Sequence, residues 1–101
     1  MIEVRRGDDL NAFGKEYVFV LNVEDDSQVK KAIFEVDNFR QEWSNIVDKR
    51  ISLQMTREDT YKLKLGKRTG YLKVYDENGL AETLNTEITF NVLDEVVKND
   101  E

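Results

Sequence analysis

Cysteine, histidine and proline are all absent from this chain of 101 residues. Without cysteine the protein has no disulfide, no thiolate metal ligand and no cysteine nucleophile. Without histidine it has no Ser-His catalytic pair, no imidazole base that titrates near neutral pH, and no common zinc site. These absences exclude several large classes of enzyme. We expect a non-enzymatic protein with no catalytic, cofactor-binding or metal-binding residues and no cofactor.

Net positive charge and long apolar runs are also lacking. The 21 acidic and 15 basic residues give a formal charge of -6. A surface of that sign repels phosphate backbones, so we expect no nucleic acid partner. The amino terminus, MIEVRRGDDL, has no apolar signal-peptide core, and no stretch approaches the length that spans a bilayer. We therefore expect neither a signal peptide nor membrane insertion.

The sequence does contain enough apolar material for one core. Hydrophobic residues make up 40% of the chain and include five Phe, four Tyr and one Trp. A chain of this length forms one small domain that buries about 65% of its unfolded surface. We expect this single domain over residues 1–97, with residues 98–101 as a polar tail or the start of a linker.

The clearest structural signal is a β-hairpin over residues 70–93. Apolar and polar residues alternate in both halves, which is the period of a strand with one buried face. Between the halves, Asp76–Gly79 (DENG) contains an Asn-Gly pair that tolerates positive φ and allows a tight reversal. The predicted buried side chains are Leu72, Val74, Ile88, Phe90 and Val92.

Shorter runs of strand-forming residues, bounded by turn residues, predict further strands. The run at residues 16–23 is apolar on both faces and predicts a central strand, whereas the charged outer face of residues 2–6 predicts an edge strand. Polar turns are predicted at Gly7-Asp8-Asp9 and at Glu24–Ser27. The predicted strands outside the hairpin are residues 2–6, 16–23, 31–37 and 50–55.

Two segments between these strands predict helical or irregular structure. Phe39, Trp43 and Ile46 or Val47 recur at helical spacing, so residues 38–49 predict a short helix or an aromatic-bearing connection. Trp43 is expected to pack in or beside the core, with an interface anchor as the alternative. Thr56, followed by an acid three positions later, predicts the N-cap of one helical turn.

Six or seven short strands with this spacing predict an all-β fold. Because most strands have one apolar face, they suit two sheets that share a core. We expect an antiparallel immunoglobulin-like β-sandwich with one or two short helical turns, rather than a closed barrel.

Three groups of residues have a binding interpretation beside a structural one. Acids at predicted turns could gather around calcium, although Asp in turns is also explained by hydrogen bonds to local backbone. Arg6-Gly7-Asp8 matches a tripeptide that some adhesion receptors recognise, yet the same residues are typical of a turn. Tyr71 and Tyr75 could form a platform for a sugar, although cross-strand packing is commoner. The acids are Asp8, Asp9, Glu24, Asp25, Asp26, Asp76 and Glu77.

Several short motifs together resemble tail and baseplate proteins of phages and prophages of Gram-positive bacteria. The comparison is with the amino-terminal domain of the baseplate upper protein, an immunoglobulin-like sandwich. The motifs are Val4–Asp9 (VRRGDD), Asp37–Trp43 (DNFRQEW), Thr56–Thr60 (TREDT), Gly70-Tyr71, Asp76–Gly79 (DENG) and Thr89–Val92 (TFNV).

The resemblance implies a structural module of a virion, assembled in the bacterial cytoplasm. Such a module would act through contacts with other tail or baseplate proteins and would be oligomeric in the assembly. The sandwich pattern and the two tyrosines leave a second hypothesis open, which is a carbohydrate-binding accessory module.

Overall fold

The computed structural model describes residues 1–23 and 28–96, with the backbone alone at residues 85 and 86. The predicted turn at Glu24–Ser27 and the predicted tail at residues 98–101 lie outside these ranges. The described chain is built mostly of strands, so the predicted all-β class is confirmed. The elements are β1 (Ile2–Arg5), a 3-10 turn (Ala12–Gly14), β2 (Val18–Val20), β3 (Lys31–Val36), β4 (Phe39–Trp43), β5 (Arg50–Ser52), α1 (Arg57–Thr60), β6 (Gly66–Tyr75) and β7 (Ala81–Leu93).

Five of the strands form one sheet in the order β1-β7-β6-β3-β4, and β2 pairs with β5 in a second sheet. β1 lies at an edge, as predicted. It runs parallel to β7, with Ile2 opposite Phe90 and Arg5 opposite Leu93. The larger sheet is therefore mixed, and the prediction of antiparallel pairing is wrong for this pair. Parallel neighbours need a long connection, and here nearly the whole domain separates the two strands.

The hairpin predicted over residues 70–93 is confirmed by β6 and β7, which pair antiparallel up to Tyr75 opposite Ala81. In the turn, Asp76 Oδ1 accepts hydrogen bonds from the N–H groups of Asn78 and Leu80, each at 2.9 Å. Gly79 supplies the positive φ of 81°. All five side chains predicted for the inner face are buried.

Residues 39–43 form a strand, so the predicted helix or connection over residues 38–49 is wrong there. Val36 pairs with Phe39 across the two-residue turn of Asp37 and Asn38, and Asp37 has a φ of 51°. A spacing of four, as between Phe39 and Trp43, fits one helical turn and also one face of a strand. The turn residues decide between the two, because Asp tolerates the left-handed conformation that a hairpin requires.

The central strand predicted over residues 16–23 is also wrong. Only Val18–Val20 form a strand, and among the described strands it pairs with β5 alone. Phe19 and Leu21 face the core, but Val18 and Val20 are 49% and 61% exposed. The second apolar face therefore lies in solvent. β5 is likewise shorter than the predicted strand over residues 50–55.

Residues from both sheets join in one buried apolar cluster. Phe34 lies in it, with its ring centre 6.3 Å from that of Phe39 and 6.1 Å from that of Phe90. Gly70 of β6 makes room for this ring, since a Cβ there would lie 2.3 Å from two Phe34 ring atoms. The helical turn predicted at Thr56 is confirmed as α1, with Thr56 and Asp59 forming a capping box.

Candidate interaction surfaces

The acids predicted at turns do not converge on a single site in the described part of the chain. Asp8 and Asp9 follow β1, which ends beside Leu93, whereas Asp76 and Glu77 lie at the other end of β7. That strand has 13 residues, which is roughly 40 Å at about 3.3 Å per residue. Within residues 1–23 and 28–96 no three acidic side chains group so as to hold a metal ion. Glu24, Asp25 and Asp26 lie outside the described residues.

Asp9 and Asp76 have local structural partners instead. Asp9 accepts a hydrogen bond from the Arg57 N–H at 2.7 Å and another from Arg57 Nη2 at 3.0 Å. These side-chain and backbone hydrogen bonds, with the Arg57 charge, lower the pKa of Asp9 although burial opposes them. Asp76 binds the N–H groups of its own turn. Both contacts fit the structural interpretation of these acids.

The Arg6-Gly7-Asp8 tripeptide lies against α1. The Gly7 N–H donates to Thr60 Oγ1 at 3.0 Å, and the same oxygen lies 3.0 Å from the Asp8 carbonyl oxygen. The Arg6 guanidinium lies 5.7 Å from the centre of the Tyr61 ring. Gly7 has a φ of 91°, and a Cβ there would lie 2.8 Å from the Tyr61 hydroxyl. These contacts fit the interpretation of the tripeptide as a turn.

The two tyrosines of β6 lie on its outer face, opposite Leu72 and Val74, as the alternation predicts. Tyr71 is 55% exposed, and the Tyr75 ring centre lies 4.5 Å from Lys31 Nζ. Lys73 occupies the position between the tyrosines in this outer row. The face has a shallow hollow of about 360 Å³, lined by Ile33, Glu35, Tyr71, Lys73, Tyr75 and Thr83.

Trp43 packs at the boundary of the core and ties the two sheets together. Its Nε1–H donates to the carbonyl oxygen of Ser52 at 3.1 Å, and Gln41 Nε2 donates to the same oxygen at 3.2 Å. Gln41 Oε1 in turn accepts a hydrogen bond from the Gln54 N–H at 2.9 Å. Side chains of β4 thus cover the edge of β5 that faces away from β2.

Phe13 is a surface feature that the sequence does not predict. Its side chain is 101% exposed, and its φ is 61°, which is rare for an aromatic residue. Asn11 braces the turn, because its Nδ2 donates to the Leu53 carbonyl at 3.0 Å and its Oδ1 accepts from the Met55 N–H at 3.1 Å. The 3-10 turn therefore holds an aromatic side chain out into solvent.

The exposed valines of β2 form a second unpredicted feature. The exposure of these valines depends on which strands lie beside β2, and the local sequence pattern does not indicate those neighbours. The sequence feature that could have indicated an unusual strand is the lack of charge over residues 17–23 (YVFVLNV). Exposed strand edges usually carry charged residues.

Comparison with known proteins identifies no relative. No protein-family model matches this chain, and no curated protein or solved structure is significantly similar to it. In the part of the chain that the structure describes, no helix is long and apolar enough to cross a membrane.

Proposed function

We propose that this protein is a non-enzymatic structural module of a phage or prophage virion, belonging to the tail or baseplate. It acts through contacts with other tail or baseplate proteins and is oligomeric in the assembly. The motif resemblance motivates this assignment. The observation that supports action through protein contacts is the exposure of the apolar side chains of Phe13, Val18 and Val20. Exposed aromatic and aliphatic side chains are common on surfaces that bind other proteins.

We also infer that the two sheets form an immunoglobulin-like sandwich. In variable-type immunoglobulin domains one sheet carries the G, F and C strands with C′ beside C, and the B and E strands belong to the other sheet. The order β7-β6-β3-β4 corresponds to G-F-C-C′, and the pair β2-β5 corresponds to B-E. The single buried cluster that joins the two sheets supports the same arrangement.

Three bonded carboxylates have structural roles in the described part of the chain. Asp9, Asp37 and Asp59 all have lowered pKa values, and each has a structural partner. Arg57 binds Asp9, Arg68 binds Asp37, and Asp59 belongs to the cap of α1. A lowered pKa keeps these groups ionised near neutral pH, so they serve as hydrogen-bond acceptors rather than as general acids.

Mass spectrometry of purified phage particles tests the assignment. Particles from an induced culture of the encoding bacterium would be banded on a density gradient and digested. We expect peptides of this chain in a constant ratio to the tail proteins, and a gene that lies among phage structural genes. Absence of the chain from intact particles, or a gene with no phage structural neighbours, would contradict the proposal.

A carbohydrate-binding accessory module remains the second candidate, favoured by the hollow beside Tyr71 and Tyr75. Aromatic faces with polar neighbours such as Glu35 suit a sugar ring. A glycan array followed by fluorescence titration tests this function. Binding that Tyr71→Ala removes and Val47→Ala retains would support it, since Val47 is exposed and outside the hollow. A chain that responds to no saccharide is not such a module.

A further inference from the structure

One of the two edges of β2 has no partner strand among residues 1–23 and 28–96. On its paired edge, the Leu53 N–H donates to the Tyr17 carbonyl at 2.8 Å, and the Leu21 N–H donates to the Lys49 carbonyl at 2.6 Å. In an antiparallel ladder, alternate residues direct their backbone groups to opposite sides. The N–H and C=O groups of Val18 and Val20 therefore point away from β5. No strand among the described residues pairs with them there.

This edge lacks the protection that the other sheet edges have. β1 carries Glu3 and Arg5, and β4 carries Arg40 and Glu42, which form an ion pair at 3.5 Å. Charged side chains of this kind discourage pairing with a further strand. The run from Tyr17 to Val23 has no charge, no proline and no glycine. Its backbone groups and its exposed valines are both available to a partner strand.

We propose that the free edge of β2 pairs antiparallel with the same edge of a second copy of this chain. A two-fold axis through Phe19 places Val18 opposite Val20 of the other copy. These are the residues whose backbone groups point outward, so they can exchange the two N–H···O bonds of a hydrogen-bonded pair. The exposed side chains of the two valines then meet across the axis. An isologous contact of this kind closes as a dimer.

Charge does not oppose the pairing of two copies along this edge. Two molecules with a formal charge of -6 repel each other over most of their surfaces, but the run from Tyr17 to Val23 contributes nothing to that repulsion. In the two-fold register Glu16 stands opposite Asn22 rather than opposite another acid. A basic partner would gain more from the acidic faces of the molecule than from this uncharged edge. The pairing follows from the edge geometry alone and does not depend on a phage origin.

The size of the contact predicts weak association. Pairing over about seven residues buries well under about 1,000 Å² in total, which is below the area of stable interfaces. We expect a dissociation constant on the order of 100 µM. At the high local concentration within an assembly, such a contact is populated even though dilute protein is monomeric.

Analytical ultracentrifugation of the whole chain from about 10 µM to about 1 mM tests the pairing. We expect the wild type to shift from monomer to dimer over this range. Val20→Lys should weaken association at least about tenfold, because it places a charge on the edge. The matched control is Leu80→Lys, which changes a side chain that is 69% exposed at the β6–β7 turn, and it should associate like the wild type. Circular dichroism and melting would verify that both variants fold.

Amide hydrogen exchange identifies the contact. The N–H groups of Val18 and Val20 should become protected at high concentration in the wild type and not in Val20→Lys. A wild type that stays monomeric at 1 mM would overturn the proposal. The free edge would then be expected to pair with a strand of a different protein. Dimers in which these two amides stay unprotected, or equal weakening by Leu80→Lys, would also overturn it. None of these results bears on whether the chain occurs in phage particles, which mass spectrometry tests separately.

Discussion

At the scale of single residues, a few buried polar side chains join segments that are distant in the sequence. Thr60 is the clearest case, because its side chain is wholly buried. Its Oγ1 accepts a hydrogen bond from the Gly7 N–H and lies 3.0 Å from the carbonyl oxygens of Asp8 and Arg57. The hydroxyl donates its one hydrogen to either carbonyl. Thr60 thereby ties α1 to the turn that follows β1.

Replacing Thr60 by valine should show the energetic role of this hydroxyl. Thr60→Val keeps the shape of the side chain but leaves the partly buried Gly7 N–H without its partner, which costs about 1–3 kcal/mol. Thr60→Ser, the control, keeps the hydroxyl and loses a methyl group. Urea unfolding should therefore give a lower free energy of unfolding for Thr60→Val than for Thr60→Ser. The reverse order would mean that packing of the methyl group matters more than the hydrogen bonds.

Asp37 is a second case: the residue is half-buried, but its side chain is only 3% exposed. Burial by itself raises the pKa of this carboxyl. Hydrogen bonds from Arg68 and from the Lys64 N–H, with the charges of both residues, outweigh burial and lower the pKa below its usual value. The shortest of these bonds joins Arg68 Nη2 to Asp37 Oδ1 at 2.6 Å.

The lowered pKa of Asp37 predicts a specific dependence of stability on pH. A carboxyl whose folded pKa lies below its unfolded value stabilises the fold above the unfolded pKa, about 4. That stabilisation is lost as the pH falls through the folded value. Asp37→Asn removes the charge and keeps a residue that tolerates the φ of 51°. It should lower the free energy of unfolding at pH 7 by about 1–3 kcal/mol.

The difference between Asp37→Asn and the wild type should shrink as the pH is lowered below 4, as measured by urea unfolding at pH 7, 5 and 3. The matched control is Asp48→Asn, since Asp48 also has a left-handed φ, 56°, but lies exposed. We expect this control to stay within about 0.5 kcal/mol of the wild type. A difference for Asp37→Asn that is independent of pH would contradict the role of the charge.

At the scale of elements, the strands that could be predicted are those with one buried face. β6 and β7 largely alternate between core and solvent, and β3 places Ala32, Phe34 and Val36 on one buried face. These patterns indicate both the strand and its register. β4 cannot be predicted from its sequence pattern, because the spacing of Phe39 and Trp43 fits a helix as well as a strand. The length of β2 was overestimated because an apolar outer face does not reveal whether another strand covers it. No local sequence pattern predicts the parallel pairing of β1 with β7, because this pairing depends on the path of the whole chain between the two strands.

Gly70 links two of these elements and gives a test of their packing. Gly70→Ala would place a methyl group 2.3 Å from the Phe34 ring and 2.9 Å from the Glu35 carbonyl oxygen. Overpacking of this kind costs about 1–3 kcal/mol. Phe34→Leu should partly relieve the clash, so the double variant should lose less stability than the sum of the single variants. Additive losses in thermal or urea unfolding would contradict a direct clash between the two positions.

At the scale of the whole molecule, the sheet edges that the structure describes differ in charge. The ends of the larger sheet carry ion pairs and charged side chains at β1 and β4. β2 presents exposed valines and an edge with which no described strand pairs, and the 3-10 turn presents Phe13. Alternation along β6 predicted the outer position of Tyr71 and Tyr75. The exposure of Phe13 and β2 could not be predicted, because it arises from the arrangement of strands that are far apart in the chain.

The proposed role of this molecule is to act by contacts within a phage tail or baseplate. Immunogold electron microscopy tests it most directly, with antibodies to the purified chain applied to intact particles from the encoding bacterium. We expect gold at the tail or its distal end, and none on particles from a strain whose gene for this chain is deleted. Unlabelled particles that nevertheless have complete tails, or gold spread evenly over the heads, would contradict the claim.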